Sequence, residues 1–235
     1  MKEILIAPSI LSADFSRLEQ EIKKVEDSGA DMVHIDVMDG EFVPNITIGP
    51  PVVKAIRKCT KLTLDVHLMI EQPHRIVKDF ADAGSDIITV HAEAYPQKTL
   101  NPKSEIRKGA SKTVDKIDDA RVKEVLKEIK ALGKKAGISL NPDSPFCIQG
   151  VLGELDMILI MSVHPGFGGQ KFIPDVLPKI KEARKVFQGD IEVDGGINDK
   201  NVASAIEAGA NIIVAGSYFF SSKNPKQAVR KLRIE

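Results

Sequence analysis

The length, composition and charge of the chain indicate one soluble globular domain and exclude several other classes. At 235 residues, 43% hydrophobic and 28% charged, the chain has a size at which α/β barrels fold as single domains. Its 33 basic and 33 acidic side chains give no net formal charge, so we expect no general attraction to nucleic acid or to anionic membranes.

Eight short apolar runs, separated by amphipathic stretches, predict eight β-strands. After the first run, apolar residues recur three or four positions apart from Phe15 to Val25, which predicts an amphipathic helix. Ser12 or Asp14 is placed to cap that helix. In chain order, the predicted strands are 4–7, 32–38, 62–70, 87–90, 136–140, 157–163, 191–194 and 212–215.

Three similar segments predict that these strands are parallel. The segments D-S-G-A-D-M-V-H-I, D-A-G-S-D-I-I-T-V and E-A-G-A-N-I-I-V-A each combine a helix end, a glycine and a strand. Gly29, Gly84 and Gly209 would lie just past helix C-termini, where glycine accepts a left-handed backbone. Parallel strands need crossover helices. We therefore predict an α/β fold, a single-domain (β/α)8 TIM barrel over residues 1–235, with an open doubly wound sheet as the alternative.

One segment, at about 96–119, interrupts the pattern after the fourth strand. It is polar and lysine-rich, contains Pro96, Pro102 and Gly109, and lacks a sustained apolar period. We interpret it as an insertion in a βα loop, at the rim of the barrel where active sites are built. A lid and a solvated excursion are both compatible with this position, and the solvated excursion is the simpler interpretation.

The cysteines and the apolar runs indicate a cytoplasmic protein. Cys59 and Cys147 lie far apart without a paired spacing, which argues against a disulfide framework and a cysteine-ligated zinc, and favours two small buried hydrophobic residues. The first apolar run ends at Pro8 and is too short for a signal peptide. No run approaches the roughly eighteen residues that a membrane span needs. We therefore expect no membrane partner.

Polar side chains alternate with aliphatic ones along the second, third and seventh predicted strands. The aliphatic residues of each strand share one face, which would pack on the surrounding helices. The opposite face then points into the barrel lumen, near its C-terminal end. The polar residues on that inward face are His34, Asp36, Asp65, His67, Glu192 and Asp194.

Four of these residues, His34, Asp36, His67 and Asp194, predict a metal site. Two carboxylates buried together without a cation would raise each other's pKa, whereas two imidazoles and two carboxylates suit one divalent ion. The mixed nitrogen and oxygen ligands favour zinc, iron, manganese or cobalt over magnesium. A hydrogen-bonded core histidine or a capping aspartate stays an alternative for any single residue, but four at strand ends favour the metal.

Three glycine-rich segments after late strands predict a phosphate site. They are P-G-F-G-G-Q at 165–170, D-G-G at 194–196, and G-S at 216–217. Each exposes backbone N–H groups that an anion can approach closely. Loops after the seventh and eighth strands, with a short helix beginning near Ser217, form a recurring phosphate site in this fold. Since turns need glycine in any case, only the three segments together favour a phosphorylated ligand.

Other side chains at strand ends have less certain roles from the sequence. Ser9 is placed either to donate to a substrate oxygen or to cap the next turn. His91 and His164 also end strands, and we leave both outside the predicted site. Three methionines are either core filler or an apolar floor beneath the reacting carbon: Met38, Met69 and Met161.

With these motifs, the sequence resembles the ribulose-phosphate 3-epimerase family. The matching segments are A-P-S-I-L-S-A-D-F, H-I-D-V-M-D-G-E-F-V-P-N, D-V-H-L-M, S-L-N-P, P-G-F-G-G-Q-K-F, V-D-G-G-I-N and A-G-S. They cover the chain apart from the insertion and the extreme C-terminus. His164 departs from the family pattern, which has an asparagine or an acidic residue there.

The resemblance implies a metal-dependent isomerase of the pentose phosphate pathway, in a homo-oligomer. It would interconvert D-ribulose 5-phosphate and D-xylulose 5-phosphate by two-base proton transfer at carbon 3 through an enediolate. Asp36 and Asp194 would be the catalytic acid/base pair, and His34, Asp36, His67 and Asp194 the metal ligands. The implied substrate contacts are Ser9, His67, Gly166, Phe167, Gly168, Gly169, Asp194, Gly195, Gly196, Gly216 and Ser217, below which lie the methionines Met38, Met69 and Met161.

Two other functions stay open at this point. The same residues would serve a 3-epimerase of another ketose phosphate, such as a hexulose 6-phosphate, or a non-catalytic sugar-phosphate binding barrel. An acid/base pair argues against binding alone. No lysine is well placed in the lumen for a Schiff base, and no dinucleotide fingerprint follows a strand. We therefore expect one divalent transition metal ion and no organic cofactor.

Overall fold

Eight parallel strands form the centre of the molecule, as seen in a computed structural model that describes residues 2–97 and 112–235. The strand order is β1-β8-β7-β6-β5-β4-β3-β2, and the two ends of the sheet meet where Ser9 bridges His34. This arrangement confirms the predicted barrel. The strands are β1 (Leu5–Ala7), β2 (Met32–Met38), β3 (Thr63–Met69), β4 (Ile87–His91), β5 (Lys135–Leu140), β6 (Met157–Met161), β7 (Asp190–Asp194) and β8 (Ile212–Val214).

Helices cover the outside of the barrel. The connection from β5 to β6 is the 3-10 helix Gln149–Glu154 in place of an α-helix. Asp14, not Ser12, caps the first helical turn by accepting a hydrogen bond from Ser16 N at 3.0 Å. The α-helices are α1 (Leu18–Asp27), α2 (Pro50–Cys59), α3 (Val77–Ala83), α4 (Asp119–Ala131), α5 (Leu177–Val186), α6 (Val202–Ala208), α7 (Ser217–Phe220) and α8 (Pro225–Arg233).

The repeated glycines take the conformation that the sequence predicts. Gly29, Gly84 and Gly209 have φ angles of 79°, 107° and 120°, in the range that other residues rarely adopt. Gly84 and Gly209 are the C-cap residues that follow α3 and α6, while Gly29 follows Ser28, the C-cap residue of α1. Each glycine turns the chain from a helix into the next strand.

The lumen of the barrel changes from apolar to polar along its axis. Its N-terminal end is closed by a small buried cluster to which β2, β4, β6 and β8 all contribute. Beyond this plug, the inward positions of β2, β3 and β7 carry titratable side chains, because polar residues alternate with aliphatic ones in those strands. The plug is made of Ala7, Met32, Ile87, Met157, Ile212 and Val214.

The segment predicted as an insertion is packed at its C-terminal end. Pro96 pairs with Ile117, and Val114 and Ile117 are each only 5% exposed within the hydrophobic core. The solvated interpretation is therefore wrong for these residues, and α4 begins at Asp119. The possible lid at 98–111 lies outside the described residues.

The cysteines and the helices bear on two further expectations. Cys59 and Cys147 are free thiols that pack, partly buried, against the hydrophobic core. Among residues 2–97 and 112–235, no helix has the length and apolar character needed to cross a membrane.

Candidate active site

Asp36 lies at the centre of a buried cluster at the C-terminal ends of β2 and β3. Its Oδ1 atom is 3.2 Å from His34 Nε2 and 3.0 Å from His67 Nδ1. The register places Asp36 beside His67 in the β2–β3 ladder, so the two side chains meet without any distortion of the strands. Ser9 Oγ donates to Asp36 Oδ2 at 2.5 Å and also accepts from Leu11 N. Ser9 thus caps the turn and fixes Asp36.

The two aspartates of the cluster have pKa values that move in opposite directions. Burial, and then the charge of Asp36, raises the pKa of Asp194 to about 7. Burial alone would also raise the pKa of Asp36, but His34 and His67 hold it far below its usual range. A pair of carboxylates with separated pKa values is typical of acid/base sites. Near neutral pH, Asp36 is therefore ionised, whereas Asp194 is able to carry a proton.

The two histidines of the cluster also differ. Burial alone would lower the pKa of His34, but the charges of Asp36 and Asp65 hold it well above its usual value. Burial lowers the pKa of His67 to about 4, in spite of its hydrogen bond with Asp36. The carboxylates around His34 therefore attract positive charge to this part of the lumen.

The cluster carries more buried carboxylate oxygens than its hydrogen bonds satisfy. Asp65 Oδ2 lies 2.6 Å from His34 Nδ1. Within the described part of the chain, Asp65 Oδ1 and both carboxylate oxygens of Glu192 have no hydrogen-bond partner. Buried carboxylates of this kind are costly unless a cation balances them.

The donor set fits a divalent cation. Four residues each offer one nitrogen or oxygen atom, and these atoms all lie within 4.8 Å of one another. Their chemistry, two imidazoles and two carboxylates, is that of a transition-metal site. The four residues are the ones predicted from the sequence: His34, Asp36, His67 and Asp194.

Above the cluster opens a small cavity of about 50 Å³. All the predicted substrate contacts line it except His67, which lies deeper and is fully buried. No lysine or arginine occurs among the described residues of the wall. The wall consists of Ser9, Leu11, Ser12, Asp36, Met38, Met69, Met161, Val163, Pro165, Gly166, Phe167, Gly168, Gly169, Gln170, Asp194, Gly195, Gly196, Gly216 and Ser217.

Two glycines of this wall lie against neighbouring loops, and one of them, Gly196, is required by the packing of the chain. A Cβ atom on Gly196, whose φ is 66°, would lie 2.3 Å from Phe172 N. A Cβ atom on Gly216 would lie 2.7 Å from Ser12 Oγ. The sequence indicated only that glycines let an anion approach. The structure adds a second reason, because the loop after β7 touches the loop after β6 here, and the loop after β8 touches the loop after β1.

His91 adjoins the cluster through His67, although it is not one of the four candidate ligands. Its Nε2 atom is 2.7 Å from His67 Nε2, and it is fully buried. The signal for it was the alternation of β4, in which Ile87, Thr89 and His91 occupy every second position. His164 is half-exposed and contacts Asp143 at 3.7 Å, outside the cluster as expected.

Solved structures with the same fold define the class of protein first. KGPDC from Streptococcus mutans superposes with a TM-score of 0.67 at 13% identity, over 99% of this chain and 97% of that chain. The 3-hexulose-6-phosphate synthase from Salmonella typhimurium gives a TM-score of 0.64 at 18% identity, over 98% and 97%. These likenesses establish the fold, a (β/α)8 barrel.

Sequence relatives then identify the family. The model of the ribulose-phosphate 3-epimerase family matches residues 5–115 and 109–220. The ribulose-phosphate 3-epimerase of Synechocystis sp. is 51% identical, over 99% of this chain and 94% of its own length. That of Bacillus subtilis is 48% identical, over 98% of both chains. The chain therefore belongs to the ribulose-phosphate 3-epimerase family.

Proposed function

We propose that this chain interconverts D-ribulose 5-phosphate and D-xylulose 5-phosphate by proton transfer at carbon 3. As a member of its family it is an epimerase, an enzyme of the isomerase class. One observation carries the proposal beyond the family name. Asp36 on β2 and Asp194 on β7 reach the same cavity from different strands, and their pKa values move apart.

The two aspartates are suited to opposite steps. The ionised Asp36 carboxylate takes the proton from carbon 3, which leaves an enediolate, and Asp194 delivers a proton to the other face of that carbon. In the reverse direction the two roles exchange. Ser9 Oγ–H holds Asp36 Oδ2 in place through its 2.5 Å hydrogen bond, so the other carboxylate oxygen stays directed at the cluster.

His34, Asp36, His67 and Asp194 would hold one divalent transition metal ion, such as zinc, iron, manganese or cobalt. When bound, such an ion supplies Lewis-acid stabilisation of negative charge on the substrate oxygens. Met38, Met69 and Met161 line the same cavity and exclude water from the reacting carbon. None of these steps requires an organic cofactor.

The phosphate group would bind at the glycine-rich end of the cavity. Since the described wall has no basic side chain, the donors available there are backbone N–H groups and the hydroxyls of Ser12 and Ser217. Backbone donors can surround a phosphate closely only where side chains are small. The loops at 166–169, 195–196 and 216–217 meet this condition.

Several further predictions complete the proposal. They are a place in the pentose phosphate pathway, a cytoplasmic location, a homo-oligomer, and the absence of nucleic-acid and membrane partners. The insertion at about 96–119 is a further prediction of the same kind. The two segments that match the family model meet at residues 109–115, within that predicted insertion.

The test is turnover of ribulose 5-phosphate by protein whose metal content has been measured. We expect xylulose 5-phosphate as the product, loss of activity after chelation, and recovery with a divalent transition metal. A panel with hexulose 6-phosphate and unphosphorylated ribulose separates the alternatives. Faster turnover of the hexulose phosphate would identify a different epimerase, and binding without turnover would identify a sugar-phosphate binding barrel.

A further inference from the structure

A chain of buried hydrogen bonds leads from His67 away from the cavity, through His91, to Glu93. His67 Nε2 and His91 Nε2 are 2.7 Å apart, and His91 Nδ1 is 3.0 Å from Glu93 Oε2. Both histidines are fully buried, and Glu93 is 5% exposed. Two ring nitrogens at this distance hold one hydrogen between them, because two N–H groups or two lone pairs would repel. One ring donates and the other accepts.

Glu93 determines the direction of this chain because its carboxylate is an acceptor on both sides. Asn141 N donates to Glu93 Oε1 at 2.8 Å, and Ser144 Oγ donates to the same oxygen at 2.6 Å. The Ser144 oxygen itself accepts from Val114 N at 3.2 Å, which leaves its hydrogen for Glu93. Burial alone would raise the pKa of Glu93, but the hydrogen bond and charge of His91 lower it.

The geometry points to Glu93 as the residue that sets the tautomer of His67, acting through His91. An ionised Glu93 accepts the Nδ1–H of His91, so His91 Nε2 carries a lone pair and accepts from His67 Nε2–H. His67 Nδ1, 3.0 Å from Asp36 Oδ1, then keeps its lone pair for a bound cation, in place of the hydrogen that it shares with Asp36 when no cation is bound. That nitrogen is the atom that His67 offers to a cation.

The other imidazole of the proposed metal site has the same support in a shorter form. His34 Nδ1 lies 2.6 Å from Asp65 Oδ2, which holds a hydrogen on Nδ1 and leaves Nε2 as the atom that His34 would offer to a cation. For His67, the supporting carboxylate is that of Glu93, which acts through a second imidazole, that of His91. Glu93 and His91 are therefore positioning residues, outside the described cavity wall. This inference rests on the proposed metal site.

Replacing Glu93 with glutamine makes a sharp test, because it keeps the side-chain size and reverses the hydrogen bonds. Asn141 N–H and Ser144 O–H require an acceptor at the Oε1 position, so the amide NH₂ turns toward His91 Nδ1 and donates. His91 Nε2 then donates to His67 Nε2, and the hydrogen of His67 moves to Nδ1. We expect zinc affinity to fall about 10- to 100-fold.

The experiment measures tautomers and zinc affinity in the full-length protein. With ¹⁵N-labelled histidine there are five imidazoles to assign. In zinc-loaded wild-type protein, His67 should carry its hydrogen on Nε2 and His91 on Nδ1. In zinc-free protein, where only Glu93 or its replacement differs, His91 should carry its hydrogen on Nδ1 in wild type and on Nε2 in Glu93→Gln. Zinc affinity is measured by competition with a chelator.

Two further variants separate positioning from general structural support. Glu93→Ala removes the acceptor and leaves a cavity, so it should unfold at a lower temperature than Glu93→Gln. If Glu93 only supported the fold, Glu93→Ala protein would also lose more zinc affinity than Glu93→Gln protein. We expect Gln to lose at least as much as Ala, because Gln imposes the wrong tautomer. The matched control is Glu26→Gln, at a carboxylate that accepts from Thr60 and Lys61 far from the cluster.

Wild-type tautomers and unchanged zinc affinity in Glu93→Gln protein would overturn the inference while leaving the proposed function intact. Failure of the wild-type protein to bind zinc or another divalent transition metal at this cluster would instead remove the metal site on which both rest. Inverted tautomers together with weaker zinc binding in Glu93→Gln, and neither in Glu26→Gln, would establish the role of Glu93.

Discussion

Charged side chains have opposite environments at the two ends of the barrel. At the N-terminal end, Arg184 donates to the carbonyl oxygens of Gly209, Phe187 and Gly189, each at 2.9 Å. Arg57 likewise binds the Leu62 carbonyl and the Asp86 carboxylate at 2.8 Å. These guanidinium groups connect the ends of helices to the starts of strands, and their N–H groups donate hydrogen bonds.

At the C-terminal end, buried carboxylates crowd together instead. Asp36 and Asp194 share one cavity, and Asp65 and Glu192 have oxygens that no described group satisfies. The comparison shows a division of labour that is common in this fold, with stability secured at one end and reactivity concentrated at the other. Changes at the two ends should therefore affect different measurements.

Removing a carboxylate from the reactive end should give the largest effect on activity. In Asp36→Asn or Asp194→Asn protein, we expect a loss of about a hundredfold to ten-thousandfold or more, because acid/base and ligand roles disappear together. In metal-free protein the melting temperature should fall in Asp36→Asn, which removes the ionised partner of Ser9 and two histidines, but not in Asp194→Asn, because burial makes the charge of Asp194 unfavourable. Steady-state kinetics and thermal unfolding check both parts. Near-normal turnover in either variant with metal bound would contradict the assignment.

Chelation should have the next largest effect. Removing the metal should cost about a hundredfold or more in turnover, since Lewis-acid stabilisation is worth several kcal/mol. It should also lower the melting temperature, because a ligand that binds only the native state stabilises it. Adding back zinc, manganese or cobalt should restore both values. Full activity in metal-free protein would remove the metal from the account.

A change at the N-terminal end should affect stability alone. Arg184→Met removes the donors to three backbone carbonyls and to Asn211 Oδ1. We expect the free energy of unfolding to fall by about 3 kcal/mol, measured by urea denaturation. The turnover of the folded enzyme should stay within about twofold of wild type, less than one kcal/mol. A large loss of turnover at a temperature where the variant is folded would show that the two ends are coupled.

The smallest predicted effect separates two kinds of glycine in the cavity wall. Gly196→Ala should destabilise the protein by about 2 kcal/mol more than Gly169→Ala. Both glycines have positive φ, but only a Cβ on Gly196 would strike the backbone, whereas that of Gly169 meets no described atom within 4 Å. Equal melting temperatures would show that the loop moves aside to accept the alanine.

Much of this fold could be predicted because its signals are local. The alternation of polar and aliphatic residues in β2 and β3 places His34, Asp36 and His67 on one face, and parallel register then brings them together. The predicted strand ends agree with the observed ends to within two residues, because the same local pattern defines them. Glycines mark the helix-to-strand turns in the sequence, and they have positive φ in the structure.

What the sequence did not reveal depends on contacts between distant segments. His91 was left outside the predicted site because nothing else in the sequence singles it out, and its partner Glu93 is held by Asn141 and Ser144 from the loop after β5. Val114 lies in a polar stretch without a period, and only tertiary packing buries it. No local pattern encodes such contacts.

The most direct test of the central claim is the origin of the hydrogen at carbon 3 of the product. If Asp36 and Asp194 act from opposite sides, one removes the substrate's hydrogen and the other delivers a different one. A single turnover in heavy water should then give xylulose 5-phosphate that carries solvent deuterium at carbon 3. Substantial retention of the substrate's own hydrogen would require one shared base, and would contradict the two-aspartate account.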